Sequence, residues 1–203
     1  MLKLAVLISN TGSGTNLQAI IDAIENHALK AIIILVISGS KNAYGIVRAK
    51  KHNIPVICLE KNDNLEDLLL NKYKINYIIL AGWKSVISSS LITKFPNKIL
   101  NLHPGLIPDT IEGVVKNPDG TNGLWNRGKL SNNAVINFIN SKATYAGSSI
   151  HILSNEFDFG PVISRCFEKI SKEDTAESLY ARLKIKENEM YVKTLIKLSA
   201  TNK

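Results

Sequence analysis

Asn101-Leu102-His103-Pro104 sets a neutral amide and a titratable imidazole two residues apart. On an extended chain both side chains project the same way. An amide N–H2 can donate to an oxyanion and an imidazole can give or take a proton, the pair of functions that acyl transfer needs. Pro104 biases His103 towards extended backbone. The same four residues also suit a histidine that simply closes a strand end. Asp158 stands in Glu156-Phe157-Asp158-Phe159-Gly160-Pro161. Apolar neighbours and a Gly-Pro turn would withdraw its carboxylate from water, where it could pair with an imidazolium and fix its orientation. An aspartate there also serves as an ordinary turn-former. No Ser or Cys has the setting of an activated nucleophile, which favours direct transfer without a covalent enzyme intermediate. His27, His52 and His151 show no spacing that would make a metal cluster with His103, so no metal is expected.

A second chemistry lies near the N-terminus. Ser9-Asn10-Thr11-Gly12-Ser13-Gly14-Thr15-Asn16 follows an apolar run and precedes residues 17, 20, 21 and 24 at helical spacing. Glycines at a strand-to-helix turn permit positive φ and close approach of a ligand, and the helix start offers unpaired N–H groups; a phosphate fits. The dinucleotide fingerprint fails because Leu17 stands where its third glycine belongs, and no G-K-[ST] is present. The alternative is a turn in which Thr15 merely caps the helix.

These residues need a scaffold, and the periodicity supplies one. Apolar runs at Leu2 to Ser9, Ala31 to Ser38, Pro55 to Leu59, Ile75 to Leu80 and Lys98 to Leu102 read as strands. Helical patterns alternate with them, at Ala43 to His52, Leu65 to Tyr73 and Val86 to Lys94. Continuous apolar strands between amphipathic helices indicate a parallel sheet covered on both faces, an α/β fold. Pro104 to Leu130 is rich in Gly and Pro without lasting period and reads as a long loop, functional or mobile. Ser131 to Ile139 looks helical with Ser131 as N-cap. Ser148 to Leu153 and Val162 to Ile170 suggest antiparallel strands, and Thr175 to Leu198 a closing helix or helix pair.

A chain of 203 residues, 45% hydrophobic and 21% charged, has globular composition, which excludes disorder and collagen-like structure. Its densest apolar run, Ala31 to Ile37, is far short of the ~20 residues of a membrane span. Leu4 to Ile8 imitates a signal peptide but lacks a cleavage site and enters a Gly-rich turn. Cys58 and Cys166 make no framework and are expected to be buried free thiols of a cytoplasmic protein. The net charge of +8 is scattered, much of it in Lys41 to Lys51 and Lys184 to Lys203. That distribution fits solvated helix faces or a small anionic substrate better than nucleic acid.

With these pieces placed, the chain resembles the glycinamide ribonucleotide formyltransferases of the folate-dependent formyltransferase superfamily. The likeness runs through Gly14-Thr15-Asn16-Leu17-Gln18-Ala19-Ile20, Leu80-Ala81-Gly82-Trp83, Asn101-Leu102-His103-Pro104-Gly105-Leu106-Ile107-Pro108, Gly147-Ser148-Ser149-Ile150-His151 and Phe157-Asp158-Phe159-Gly160-Pro161. The resemblance implies a Rossmann-like, mostly parallel sheet and one domain over 1–203, with a phosphate-binding part at about 1–100 and a catalytic, folate-binding part at about 101–203. It implies formyl transfer from 10-formyltetrahydrofolate to the amine of glycinamide ribonucleotide, with Asn101, His103 and Asp158 stabilising a tetrahedral intermediate. Gly14, Thr15, Asn16 and Lys184 would hold the phosphate, and Glu187 would contact the glycinamide. Trp83, Lys84, Ser85, Val86 and Ile87, with Asn155, Glu156 and Phe157, would line the folate pocket, and His151 would support the site. Partners would be small molecules only, with no nucleic acid and no membrane, in a cytoplasmic monomer or homodimer.

The departures are local. The first turn is two residues longer than the family's S-G-x-G-S-N, and Ser85 stands where many members carry Arg. Pro108 is followed by Asp109-Thr110-Ile111-Glu112-Gly113 and a long insert to Arg127, where the family has a short aromatic-Pro-Gly-x-His loop. That insert could form a lid or retune the acceptor, with Trp125 shielding the site or anchoring the loop. Two other readings stand: formylation of a nucleotide-linked amino sugar, and a non-catalytic phosphometabolite-binding homologue. A deformylase and a tRNA formyltransferase are disfavoured, because no extra N-terminal regulatory or C-terminal RNA-binding domain is seen.

Overall fold

The computed structural model describes residues 1–60, 63–71 and 73–201. The apolar runs become the strands β1 (Leu2–Ile8), β2 (Ala31–Ser38), β3 (Val56–Cys58), β4 (Tyr77–Ala81) and β5 (Ile99–His103). Helices α1 (Thr15–Glu25), α2 (Tyr44–Lys51), α3 (Leu65–Asn71) and α4 (Ser89–Lys94) alternate with them, and α5 (Ser131–Asn140), β6 (Tyr145–Ile152), β7 (Val162–Lys169) and α6 (Ala176–Thr201) complete the chain. The strands form a seven-stranded sheet in the order β3-β2-β1-β4-β5-β6-β7. β1 pairs in parallel with β2 and β4, β2 with β3, and β4 with β5, whereas β6 and β7 are antiparallel.

The chain divides into two compact units. The first comprises Met1–Asn101 and Tyr191–Lys203. Leu4, Val6, Leu7, Leu35, Ile37, Ile78 and Ile79 are fully buried there, as strands covered on both faces require. The order β3-β2-β1-β4-β5 reverses direction between β1 and β4, and ligands of open α/β sheets bind at such a reversal, beyond the carboxyl ends of the strands. The segments leaving β1 and β4 there are the Gly-rich turn and the Trp83–Ile87 stretch. Tyr191 on α6 fastens the returning helix by donating its hydroxyl to the carbonyls of Leu80 (3.0 Å) and Leu100 (3.4 Å). The second unit, Leu102–Met190, is built on Val135, Phe138, Ala146, Leu179 and Leu183.

Several sequence expectations shift. Ser131 is the first helical residue of α5 rather than its cap; Leu130 occupies the cap position and no side chain caps it. The helix expected from Val86 begins at Ser89, because Ser88 accepts from the Leu91 N–H and sets the start. Lys72, inside the expected third helix, lies outside the described residues. Cys58 and Cys166 are free but only partly buried. Residues 104–130 carry no helix or strand, yet they are stitched rather than loose. Lys116 and Asn122 form an isolated antiparallel bridge, and Asn117, buried, donates its amide to Thr121 and to the Asn122 carbonyl.

Candidate active site

In the first unit the turn after β1 is held from three sides. Ser9 Oγ accepts the N–H groups of Thr11 and Gly12, Asn10 Oδ1 accepts the N–H of Gly39, and Arg48 Nε donates to the Ser13 carbonyl. Ser9 thereby folds the two extra residues into a compact bend. Gly14 caps α1 at φ 72°, and a Cβ there would lie 2.9 Å from the Gly45 backbone. Conformation and space both demand glycine. The hydrogen-bonding of α1 opens with the Gln18 N–H on the Gly14 carbonyl, so the N–H groups of Thr15, Asn16 and Leu17 at its first turn have no partner from this ladder. Thr15 Oγ1 and Asn16 Oδ1 are buried without a hydrogen-bond partner, and Gly14 rather than Thr15 occupies the cap position. Lys84, from the segment leaving β4, reaches Thr11 Oγ1 at 3.4 Å. Within Trp83–Ile87, Ile87 is buried, Val86 is exposed, and the Trp83 indole N–H is buried without a partner. A mainly apolar cavity of about 610 Å3, lined by Ile24, Ile32 and Ile54 among others, opens at the amino ends of these strands, away from that turn.

Asn101 and His103 share β5 at alternate positions. In the second unit His103 is buried, and its Nδ1 lies 3.7 Å from Asp158 Oδ1. That is an ion-pair distance, too long for a hydrogen bond. Its Nε2 donates to the Trp125 carbonyl at 2.7 Å. Nε2 therefore carries a hydrogen, and Nδ1 faces a carboxylate oxygen without a direct hydrogen bond. Asp158 sits at φ 50°, a left-handed conformation that aspartate tolerates, and its Oδ2 accepts the Gly128 N–H at 2.7 Å. Burial raises the Asp158 carboxyl, but His103 and the Gly128 N–H outweigh it and leave the pKa below the usual range. His151, on β6, is buried and holds its Nδ1 hydrogen on the Ile152 carbonyl. Burial, aided by the charge of His103, pushes its pKa down to about 4, so it stays neutral.

Glu187 and Lys184 form a separate cluster on α6. Glu187 is buried, accepts from Ser148 Oγ at 2.7 Å and pairs with Lys184 Nζ at 2.9 Å. Burial lowers the Lys184 ammonium, but Glu187 prevails and raises it. Asn155, Glu156 and Phe157 are exposed in the turn that ends in Asp158.

The structure therefore brings His103, Asp158 and His151 into one electrostatic group and pairs Lys184 with Glu187. Sequence reasoning missed the backbone groups of Trp125 and Gly128, which contact His103 and Asp158, because a carbonyl or an N–H leaves no signature in residue type. It also missed Ser149 and Arg165. Ser149 Oγ accepts the Ile107 N–H and donates to the Gly105 carbonyl, and Arg165 donates twice to the Ile107 carbonyl. Together they pin the segment that follows His103. Among the described residues no group of three or more His, Cys, Asp or Glu could hold a metal ion, and no helix is long and apolar enough to cross a membrane.

The chain is 35% identical to a phosphoribosylglycinamide formyltransferase of Haemophilus influenzae over 94% of its own length and 84% of the relative's. It is 29% identical to the chloroplastic phosphoribosylglycinamide formyltransferase of Arabidopsis thaliana, covering 95% of this chain and 64% of that protein. The crystal structure of phosphoribosylglycinamide formyltransferase from Anaplasma phagocytophilum superposes with a TM-score of 0.82 at 28% identity, covering 98% of this chain and 87% of that one. The model of the formyl transferase family matches residues 2–195. The chain belongs to the formyl transferase family.

Proposed function

We propose that this enzyme transfers a formyl group from 10-formyltetrahydrofolate to the amine of phosphoribosylglycinamide, in the cytoplasm and without a metal. The observation that carries the reading is the buried His103 ring held 3.7 Å from the Asp158 carboxylate, with Asn101 two residues earlier on β5.

The folate supplies an activated formyl group when bound. Two features of this chain fit it and its partner: the unpartnered indole N–H of Trp83 and the unpartnered hydroxyl of Thr15 at the α1 start. The first suits the polar edge of a pterin, with Lys84 to Ile87; the second suits a phosphate, with Gly14 and Asn16. Glu187 would orient the amine side of the acceptor. Asn101 donates to the formyl oxygen as negative charge grows there, and protonated His103 adds a second donor. Asp158 stabilises the imidazolium and relays the proton. A bond forms between the amine nitrogen and the formyl carbon, the bond from that carbon to the folate nitrogen breaks, and one proton passes from the amine to the departing nitrogen.

The test is a spectrophotometric transfer assay with 10-formyltetrahydrofolate and phosphoribosylglycinamide, run beside water and other phosphorylated amines. Asn101→Ala and His103→Ala should bind both substrates yet lose about 10²–10³ in kcat. Wild-type turnover in either variant removes that residue from its role. A different preferred amine would favour the second reading, formylation of another phosphorylated acceptor such as a nucleotide-linked amino sugar. That reading draws on the contact between the 104–130 segment and His103.

A further inference from the structure

The stretch Trp125–Gly128, in the segment that departs most from the family pattern, is fastened to the turn Glu156–Asp158. Arg127 Nε donates to the Phe157 carbonyl at 3.0 Å, and its other arm forms an ion pair with Glu156. Its guanidinium carbon lies 5.0 Å from the centre of the Trp125 ring. The Trp125 indole N–H donates to the Asp158 carbonyl at 3.0 Å, and the Gly128 N–H holds Asp158 Oδ2. Behind this stretch the buried Asn126 donates to the carbonyls of Pro104 and Ala134 and accepts from Asn137. The Trp125 carbonyl is thus held from both sides.

A carbonyl oxygen only accepts, so the hydrogen between it and His103 belongs to Nε2. With Nε2 occupied and Asp158 Oδ2 taken by Gly128, the groups left facing one another are Nδ1 and Oδ1. At 3.7 Å they stand in ion-pair range without a direct hydrogen bond, so an oxygen or nitrogen of a reactant placed beside them can bond to both.

We propose that Arg127 is a positioning residue for the transfer reaction: by latching Trp125–Gly128 to Glu156–Asp158 it keeps His103 Nε2–H on the Trp125 carbonyl and so assigns the reacting proton to Nδ1. The proposal rests on the reading of His103 and Asp158 as catalytic. The planar fork of arginine is essential to it, since one side chain must serve a backbone carbonyl, a carboxylate and an aromatic face together, which a lysine ammonium cannot.

Kinetics and imidazole NMR of 15N-histidine-labelled wild type, Arg127→Ala and Arg127→Lys test it. In the wild type the neutral His103 ring carries its hydrogen on Nε2. Arg127→Ala lowers kcat about 10- to 100-fold, leaves KM for the phosphorylated amine unchanged, and gives a mixture of His103 tautomers. Arg127→Lys keeps the charge and restores little of kcat. Should Arg127→Ala fail to fold, Trp125→Phe, which keeps the ring but drops the N–H to Asp158, reads the same latch and shows a smaller fall in kcat. The proposal is overturned by a wild-type His103 with its neutral hydrogen on Nδ1, by Arg127→Ala with wild-type kcat, or by full rescue with lysine. Undiminished activity of His103→Ala would instead remove the catalytic reading beneath it. A silent Arg127→Ala beside an inactive His103→Ala would sink the positioning role alone.

Discussion

His151 and His103 are close enough for the charge on one to oppose the charge on the other, and this has a consequence for stability. With a pKa pushed from 6.5 to about 4 by burial and by His103, His151 is neutral in the fold, whereas the unfolded chain takes up a proton below 6.5. Its contribution is therefore complete above that value and is lost as pH falls towards 4. At about 1.4 kcal/mol per pH unit, stability drops by about 2 kcal/mol between pH 7 and pH 5. The depressed Asp158 acts in the same direction but only below the ordinary carboxylate value of 3.8, outside this window. His151→Asn can keep a donor for the Ile152 carbonyl without a titrating ring, so its urea-unfolding free energy should be flatter over the same range. Equal pH dependence in the two proteins would show that His151 is not the group responsible. His151 also marks what residue types reveal. The sequence placed it in a strand-like run, but not beside His103 as its electrostatic neighbour. That proximity depends on contacts far apart in sequence.

The elements themselves were legible wherever hydrophobic period was strong. β1, β2, β4 and β5, the antiparallel β6 and β7, and the long α6 stand within a few residues of where the sequence pattern put them; for β1, β2 and β4 burial on both faces leaves no other pattern available. The 104–130 segment was legible only as an absence of period, since its order comes from single polar contacts such as those of Asn117 and Asn126. Gly105 shows how tightly that segment seats. A Cβ there would lie 1.7 Å from the Trp125 carbonyl oxygen and 2.5 Å from its carbon, both backbone atoms that cannot swing aside. Gly105→Ala should cost about 2 kcal/mol or more of stability by denaturant unfolding, and should lower kcat because Trp125 must leave His103. Gly120, in the same segment, has φ +84° and nothing within 4 Å of an added Cβ. Gly120→Ala should cost about 1 kcal/mol through backbone strain and leave kcat intact. Equal kinetic effects from the two substitutions would argue against a specific seat for Trp125 against Gly105.

For the molecule as a whole, the excess of 25 basic over 17 acidic residues matters through the substrates rather than through the fold. A phosphorylated amine and a reduced folate are both anions, and a chain of net charge +8 draws such molecules in from solution. Part of that charge stands at the Gly-rich turn after β1, the turn proposed for phosphate: Arg48 is bonded to Ser13, and Lys84 reaches Thr11. Salt should weaken capture without touching chemistry, because the Debye length shrinks to about 10 Å at 0.1 M while the buried His103 is screened little. Raising ionic strength from about 20 to about 200 mM at fixed pH should therefore lower kcat/KM about three- to tenfold and leave kcat nearly constant. Charge-neutralising variants of Arg48 or Lys84 should flatten this dependence, whereas neutralising an equal number of lysines on the exposed face of α6 should not. If kcat/KM proves insensitive to salt, the surplus of Lys and Arg is a property of solvated helix faces, and capture of the anions depends on the short-range donors of the α1 turn alone.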